Sequence, residues 1–393
     1  MNAAGGLPRV LVLHNRYRSE GGEERAAAEH ARLLRERGHE VTLVERQSGG
    51  LAGVRGRLRG GEAMLRGGVD PEEVGNAVRE LGADLVHVHN PLPLFGARSL
   101  EAAREAGARV VMHLHNYRLV CAIGIAYRDR APCTRCQGRR TLPGVRLRCR
   151  GNLPEAVTYG AGIAAQQRRI LSVVDRFVVT TRGSERVLEE LGLDLGERDV
   201  IANFLPASAF AERSQAGSGA YALYAGRLTE EKGVDTAIEA ARRSGVPLAI
   251  AGAGPDEQRL RRLAGSGQQD VRFLGQLDAP ALDEARARAA MTVVPSRWHE
   301  PQPYAVSESM AAGVPVLVSR MGGLPEMAGE DAALPPGHVG AWAAAMERLW
   351  EVPRLRAGLG EAALSRAISL FGEDAYYERL MACYRAALGR DGT

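Results

Sequence analysis

The chain has 393 residues, 45% hydrophobic and 25% charged, with a formal net charge of +4. It is too long for one ordinary domain and points to two of about 200 residues each, with a soluble globular composition. Four surplus charges are too few to single out nucleic acid as a partner, and no run reaches the ~18 apolar residues of a membrane span.

The N-terminal stretch MNAAGGLPRVLVLHN enters a buried-type strand without the basic region and cleavage site of a secretory signal. A reducing cytoplasmic setting is therefore expected, with attachment to the inner face of a membrane left open. RVLVLH (9–14) is the first strand. Beyond it Gly21 and Gly22 open the helical pattern EERAAAEHARLLRERG. Paired glycines at a helix start let the backbone approach a ligand, with free N–H groups aimed at it; a plain tight turn is the other reading. EVTLVE (40–45), DLVHVHN (84–90), the helix SLEAAREAG and the strand RVVMHLHN (109–116) follow. His115 closes the fourth strand and is expected to face the ligand side, and His113 shares its side-chain parity. His87 and His89 read as structural.

Residues 118–150 carry nine Arg and one acid, Asp129, together with Cys121, Cys133, Cys136 and Cys149. A Cys-x2-Cys turn with two flanking cysteines suits a structural zinc in a loop too polar to build its own core. Disulfides and free thiols are the alternatives. No His or carboxylate joins the group, so the metal would not be catalytic. The strands RFVVTT (176–181) and DVIANF (199–204) complete a first parallel sheet.

After the Gly/Ser-bearing linker 207–220 the alternation restarts with YALYAGRL, PLAIAG, VRFLG, MTVVPS and PVLVSR, and EDAYYERLMACYRAAL ends the chain as an amphipathic helix. The expected fold is α/β, with two doubly wound, Rossmann-like domains facing across a cleft. The domains are 1–206 and 207–369, with a terminal helix in 370–393 packing back on the first. Ligands of such sheets bind beyond the strand carboxyl ends. Gly252 and Gly254 do not complete a dinucleotide fingerprint, because Glu257 takes the third glycine's place.

In YAGRLTEEKG the strand ends near Ala225, Gly226 permits a tight exit, and Arg227 and Lys232 follow. Lys232 is the only lysine among 51 cationic residues, which suggests that a compact ammonium is needed there and a planar guanidinium will not serve. Two fixed cations can stabilise the charge on a departing diphosphate. In SRWHEPQPYAVSESMAAGVPVLVSRMGGLPE (296–326), Glu300 and Glu308 flank a Pro-rich turn. Carboxylates accept hydrogen bonds from sugar hydroxyls, and the amides of Tyr304 and Ala305 begin a helix where phosphate is favoured.

GRLTEEKG, EPQPYAVSESMAAGVPV and GGLPE, in this order and spacing, resemble the donor half of retaining glycosyltransferases of the GT-B fold, family four. The resemblance implies a cytoplasmic hexosyltransferase of glycoconjugate biosynthesis. Its donor would be a UDP- or GDP-linked sugar, its acceptor a saccharide, a lipid-linked saccharide or a small molecule, and catalysis would need no metal or other cofactor. It assigns Arg227 and Lys232 to the diphosphate, Glu308 to the ribose, Glu300 and His115 to the donor sugar, and Gly21 and Gly22 to the loop between acceptor and donor phosphate. Where many members have glycine, this chain has Pro303, which moves any phosphate contact to Tyr304, Ala305 or a neighbour. A sugar-nucleotide epimerase and a non-catalytic nucleotide-sugar binder share the fold and are the rival readings; the four charges argue for transfer.

Overall fold

The computed structural model of the chain describes residues 6–16, 21–47, 53–265 and 271–389. The first half builds β1 (Val10–Arg16), α1 (Gly22–Glu36), β2 (Val41–Gln47), α2 (Gly53–Arg66), α3 (Pro71–Leu81), β3 (Leu85–Asn90), α4 (Gly96–Glu105) and β4 (Arg109–Leu114). A two-residue hairpin, β5 (Tyr127–Arg128) with β6 (Ala131–Pro132), and the short α5 (Leu142–Arg146) interrupt the alternation. It resumes with α6 (Leu153–Val173), β7 (Arg176–Val179), α7 (Arg182–Glu190) and β8 (Arg198–Val200).

Six strands form a parallel sheet in the order β2-β1-β3-β4-β7-β8. β1 and β3 are buried nearly end to end, as strands covered on both faces must be. On one face Leu11, Leu13, Val86, Val88, Val110 and Met112 pack against α3, α4 and α6; on the other Val10, Val12, Leu85 and Val111 meet α1.

The second half repeats the scheme with β9 (Tyr221–Ala225), α8 (Val234–Ser244), β10 (Leu248–Ala251), α9 (Glu257–Ala264), β11 (Val271–Gly275), α10 (Ala279–Ala287), β12 (Ala289–Val294), α11 (Tyr304–Ala311), β13 (Val316–Ser319), α12 (Leu324–Ala328), β14 (Ala333–Leu334), α13 (Val339–Glu351) and α14 (Pro353–Phe371). Its order, β11-β10-β9-β12-β13-β14, is that of a dinucleotide-type doubly wound sheet, whose ligand crevice opens where the order reverses. That switch point lies between β9 and β12 here, and between β1 and β3 in the first half.

The last helix, α15 (Glu373–Ala387), leaves the second half and covers the first sheet. Tyr376, Leu380 and Tyr384 are buried there against α1 and the strands. The segment 295–303 joins the halves from the other side. Tyr117 Oη donates to the His299 carbonyl at 2.9 Å, Thr181 Oγ1 to the Pro301 carbonyl at 3.0 Å, and Gln302 pairs with the Asn203 backbone at 2.6 and 2.9 Å. The two switch points thus face each other.

Candidate active site

A cleft of about 660 Å³ lies between the facing switch points. Gly21, Gly22, His115, Gly226, Arg227, Lys232, Glu300, Tyr304, Ala305 and Glu308 all line it. The non-metal residues singled out in the sequence are therefore gathered in one place, though they come from four separate stretches of the chain.

Lys232 ends a single helical turn, Glu230–Lys232, between β9 and α8. Gly233 follows with φ +65°, and an added Cβ would stand 2.1 Å from the Pro295 carbonyl oxygen; this tight crossing turns the lysine into the cleft. Its Nζ lies 2.6 Å from Glu300 Oε1 and 5.2 Å from the Trp298 ring centre. Glu300 is only 3% exposed and also accepts from Ser296 Oγ at 2.6 Å. A buried carboxylate between an ammonium and a hydroxyl is well compensated, and it is held in one position. Arg227 is largely exposed and, among the described residues, its guanidinium meets Glu231 at 3.8 Å, so its fork is available to a ligand.

Glu308 does not cap or pair within its own helix. It joins the two halves, bonding Arg25 of α1 through Oε1 and Arg286 of α10 through Oε2 at 2.6 Å. Arg286 is 3% exposed and also reaches Asp283 at 2.6 Å. The Arg25 guanidinium lies 4.6 Å over the Tyr304 ring. Arg25 and Arg286 escape a sequence reading; only Arg25, one helical turn past Gly22, sits where spacing could have suggested it.

α11 begins at Tyr304 with Pro303 as its N-cap. Proline is well placed there, because that N–H would have no helical partner. The Tyr304 and Ala305 amides thus open the helix toward the cleft. Across it, an added Cβ on Gly22 would meet Tyr304 Cδ2 at 2.9 Å, so glycine is required for the two halves to approach this closely. The Gly21 N–H is already used: it donates to Glu24 Oε2 at 2.9 Å in a capping arrangement. The sequence reading offered the amides of both glycines to a ligand; the capping leaves that of Gly22.

His115 follows β4 and borders the cleft, whereas His113 is fully buried behind it. Behind them stands a layer of imidazoles. His115 stacks on His113 and His89 with centroids 4.2 and 5.1 Å away, and His89 Nδ1 lies 2.9 Å from His115 Nε2. Deeper in, His30 Nδ1 meets Tyr376 Oη at 2.6 Å, and Tyr384 Oη bridges His30 Nε2 (3.1 Å) and His87 Nδ1 (2.9 Å). Burial, then repulsion from neighbouring imidazoles, pushes His87, His89 and His115 well below the usual histidine range, and His30 and His113 to about 3. At neutral pH His115 is therefore an uncharged hydrogen-bonding group, oriented through His89.

The first half's wall of the cleft includes Asn116, Arg118, Ile123, Ile125, Arg150 and Tyr159. Asn116 Nδ2 donates to Glu23 Oε2 at 3.0 Å, and the Arg150 guanidinium stacks 4.0 Å over the Tyr159 ring. No described helix is long and apolar enough to cross a membrane.

Residues 209–366 match the family described as Glycosyl transferases group 1, and residues 20–208 match Glycosyltransferase Family 4. The chain is 31% identical to the D-inositol 3-phosphate glycosyltransferase of Acidothermus cellulolyticus, over 95% of this chain and 87% of that one. A glycogen synthase of Mycobacterium tuberculosis is 36% identical over 36% of each chain. Among solved structures, the sucrose-phosphate synthase of Thermosynechococcus elongatus superposes with a TM-score of 0.72, at 19% identity over 97% of this chain and 99% of that one. Anabaena HepE in complex with UDP-glucose gives 0.64, at 16% identity over 96% and 99%.

Proposed function

The chain belongs to the family-four glycosyltransferases of the GT-B fold, which act with a nucleotide-sugar donor, and we propose that it transfers a hexose with retention at the anomeric carbon. In this reading the diphosphate lies against Arg227, Lys232 and the opening turn of α11. The ribose hydroxyls bind Glu308, and the sugar lies between Glu300 and His115. The bond from the anomeric carbon to the phosphate oxygen breaks as the bond to the acceptor oxygen forms on the same face. The acceptor's proton goes to the departing phosphate oxygen.

Arg227 and Lys232 stabilise the charge that develops on the diphosphate, a task for which fixed cations in a partly desolvated cleft are suited. Glu300, held by Lys232 and Ser296, accepts from sugar hydroxyls and favours positive charge at the anomeric carbon without forming a covalent bond to it. Neutral His115 positions the sugar without repelling that charge. No protein-bound metal takes part in these steps.

The observation that carries the reading is the meeting of Lys232, Glu300, Arg227, Glu308 and His115 around one cleft. The naming of a structural neighbour as a UDP-glucose complex favours a UDP-linked donor. On the acceptor side, Arg118 and Arg150 favour a hydroxylated acceptor bearing an anionic group, in keeping with the inositol phosphate in the name of a relative. Glycoconjugate assembly in the cytoplasm, at the inner membrane face when the acceptor is lipid-linked, is the setting assigned. The test incubates purified protein with UDP- and GDP-sugars and inositol phosphates, free sugars or lipid-linked saccharides. Nucleotide diphosphate release is followed, and product configuration is read by NMR. Binding of nucleotide sugar without release for any acceptor would refute transfer, and an inverted product would refute retention.

A further inference from the structure

The loop after β4 gathers four thiols. Cys121 is tied to the core: its N–H donates to the carbonyl of fully buried Tyr117 at 2.8 Å. Cys133 follows the β5–β6 hairpin, its N–H donating to the Ala126 carbonyl at 2.7 Å. Cys136 leads into a turn closed by the Gln137–Arg140 bridge, and the Cys149 N–H donates to the Gly144 carbonyl at 3.0 Å. Gly144 passes so near Cys136 that an added Cβ would stand 3.3 Å from its sulfur. Four of the five described non-glycine residues with positive φ, Ala126, Asp129, Arg130 and Arg148, lie in this loop. Such backbone is unfavourable unless its surroundings hold it in place. Leu119, Val120, Ala126 and Tyr127 anchor the start of the loop in the first half's core, so it is less polar than its arginines suggest, whereas the hairpin tip 129–132 is largely exposed. Cys121 and Cys136 touch the first half's core, and no disulfide joins any of the four.

We infer that Cys121, Cys133, Cys136 and Cys149 bind one structural zinc as a tetrahedral set of thiolates, and that the ion fixes the loop over the active-site cleft. Four sulfur ligands close the coordination sphere and leave no position for water, so the site is structural. Four thiolates on one zinc carry a net charge of −2, and Arg128 Nη1, 3.6 Å from Cys149 Sγ, supplies an opposing charge at the sulfurs, as supporting groups around metal ligands do. No three of the sulfurs lie mutually within 4.8 Å. A zinc–sulfur distance of about 2.3 Å in a tetrahedron needs sulfurs about 3.8 Å apart. Binding therefore draws the Cys-x2-Cys turn and its two partners closer together, and releases thiol protons as it does so.

The consequence reaches the site. Arg118, Ile123, Ile125 and Arg150 of this loop line the cleft, and Arg130 crosses to Asp235 in the other half at 3.4 Å. The zinc holds the roof of the acceptor side, whatever reaction proceeds beneath it.

The experiment measures zinc in the full-length protein, purified in reducing buffer from zinc-supplied cells, by mass spectrometry. About one zinc per chain is expected. It should fall at least about tenfold in C133S/C136S and in C121S/C149S and stay unchanged in C383S. Where the serine variants fail to fold, cobalt exchange into the wild type decides. Thiolate-to-cobalt charge-transfer absorption with tetrahedral ligand-field bands supports the site. Near-zero zinc with four freely titrating thiols, or a disulfide among the four in peptide mapping, overturns it.

Discussion

Acidification from pH 7 to pH 5 should weaken the first half of this protein through its imidazole layer. His30 and His113 are held at about 3 in the folded state by burial and by their imidazole neighbours, against about 6.5 in an unfolded chain. Their folded values are depressed, so both are neutral and unpenalised above pH 6.5. As pH falls below that, the unfolded chain takes up protons that the folded one refuses, and stability is lost progressively down to about 3. Between pH 7 and pH 5 each such histidine removes about 2 kcal/mol, or roughly 4 kcal/mol for the pair. His87, His89 and His115 act in the same direction.

That loss is a large share of the ~5–15 kcal/mol that ordinarily holds a domain together. It corresponds to a fall in melting temperature of roughly 8–16 °C. Scanning calorimetry at pH 7, 6 and 5 measures it. The second half serves as an internal reference, because Trp342 and Trp350 belong to its core and report its melting by fluorescence, once Trp298, which packs into the first half's core beside Tyr117, is replaced by Phe. Proton uptake on unfolding at pH 5.5 should be at least about two per chain. A first-half transition that moves by less than about 2 °C, or an uptake below about one proton, would refute the argument. Tyr384→Phe, which removes the hydroxyl between His30 and His87, should lower stability at pH 7 by about 1–3 kcal/mol.

Lys232→Arg keeps the charge but places a larger planar group between Glu300 and Trp298, and kcat/KM should fall about 100-fold; activity within about threefold of wild type would return the lone lysine to an accident of composition. Glu308→Gln should raise the donor KM about 10-fold or more while preserving a hydrogen bond to Arg286. Glu308→Ala should in addition lose about 3–5 kcal/mol of stability, because Arg286 is left buried without its partner at that oxygen; equal melting temperatures for the two variants would contradict this. Gly22→Ala forces Tyr304 and the halves apart and should cost about 10-fold in kcat/KM with little change in melting temperature.

Much of the fold was legible because parallel strands covered on both faces leave continuous apolar runs such as RVLVLH and PLAIAG. DVIANF is a partial exception: only Arg198–Val200 pairs, at the sheet edge, and the chain then crosses to the second half. β14 and the β5–β6 hairpin, two residues per strand, are too short to carry a period. At the site, the residue types and their motifs were visible, whereas their partners were not. Nothing in the spacing from Arg25 or Arg286 to Glu308, 283 and 22 positions away, marks them as neighbours. His87 and His89 are buried on β3, but the layer they share with His30, His113, Tyr376 and Tyr384 comes from four segments that meet only when α15 returns.

The sequence by itself determined the two doubly wound halves, the family, and the charged groups at the ends of β9 and β12, because strand period, turn chemistry and motif spacing are local. Tertiary structure alone decided how those charges are used. Lys232 turns onto buried Glu300 and leaves Arg227 free for a ligand, Glu308 ties α1 to α10, and His115 is neutral because the imidazoles behind it are dry. Pairing, burial and dielectric belong to positions in space, and the sequence brings those positions together only by folding.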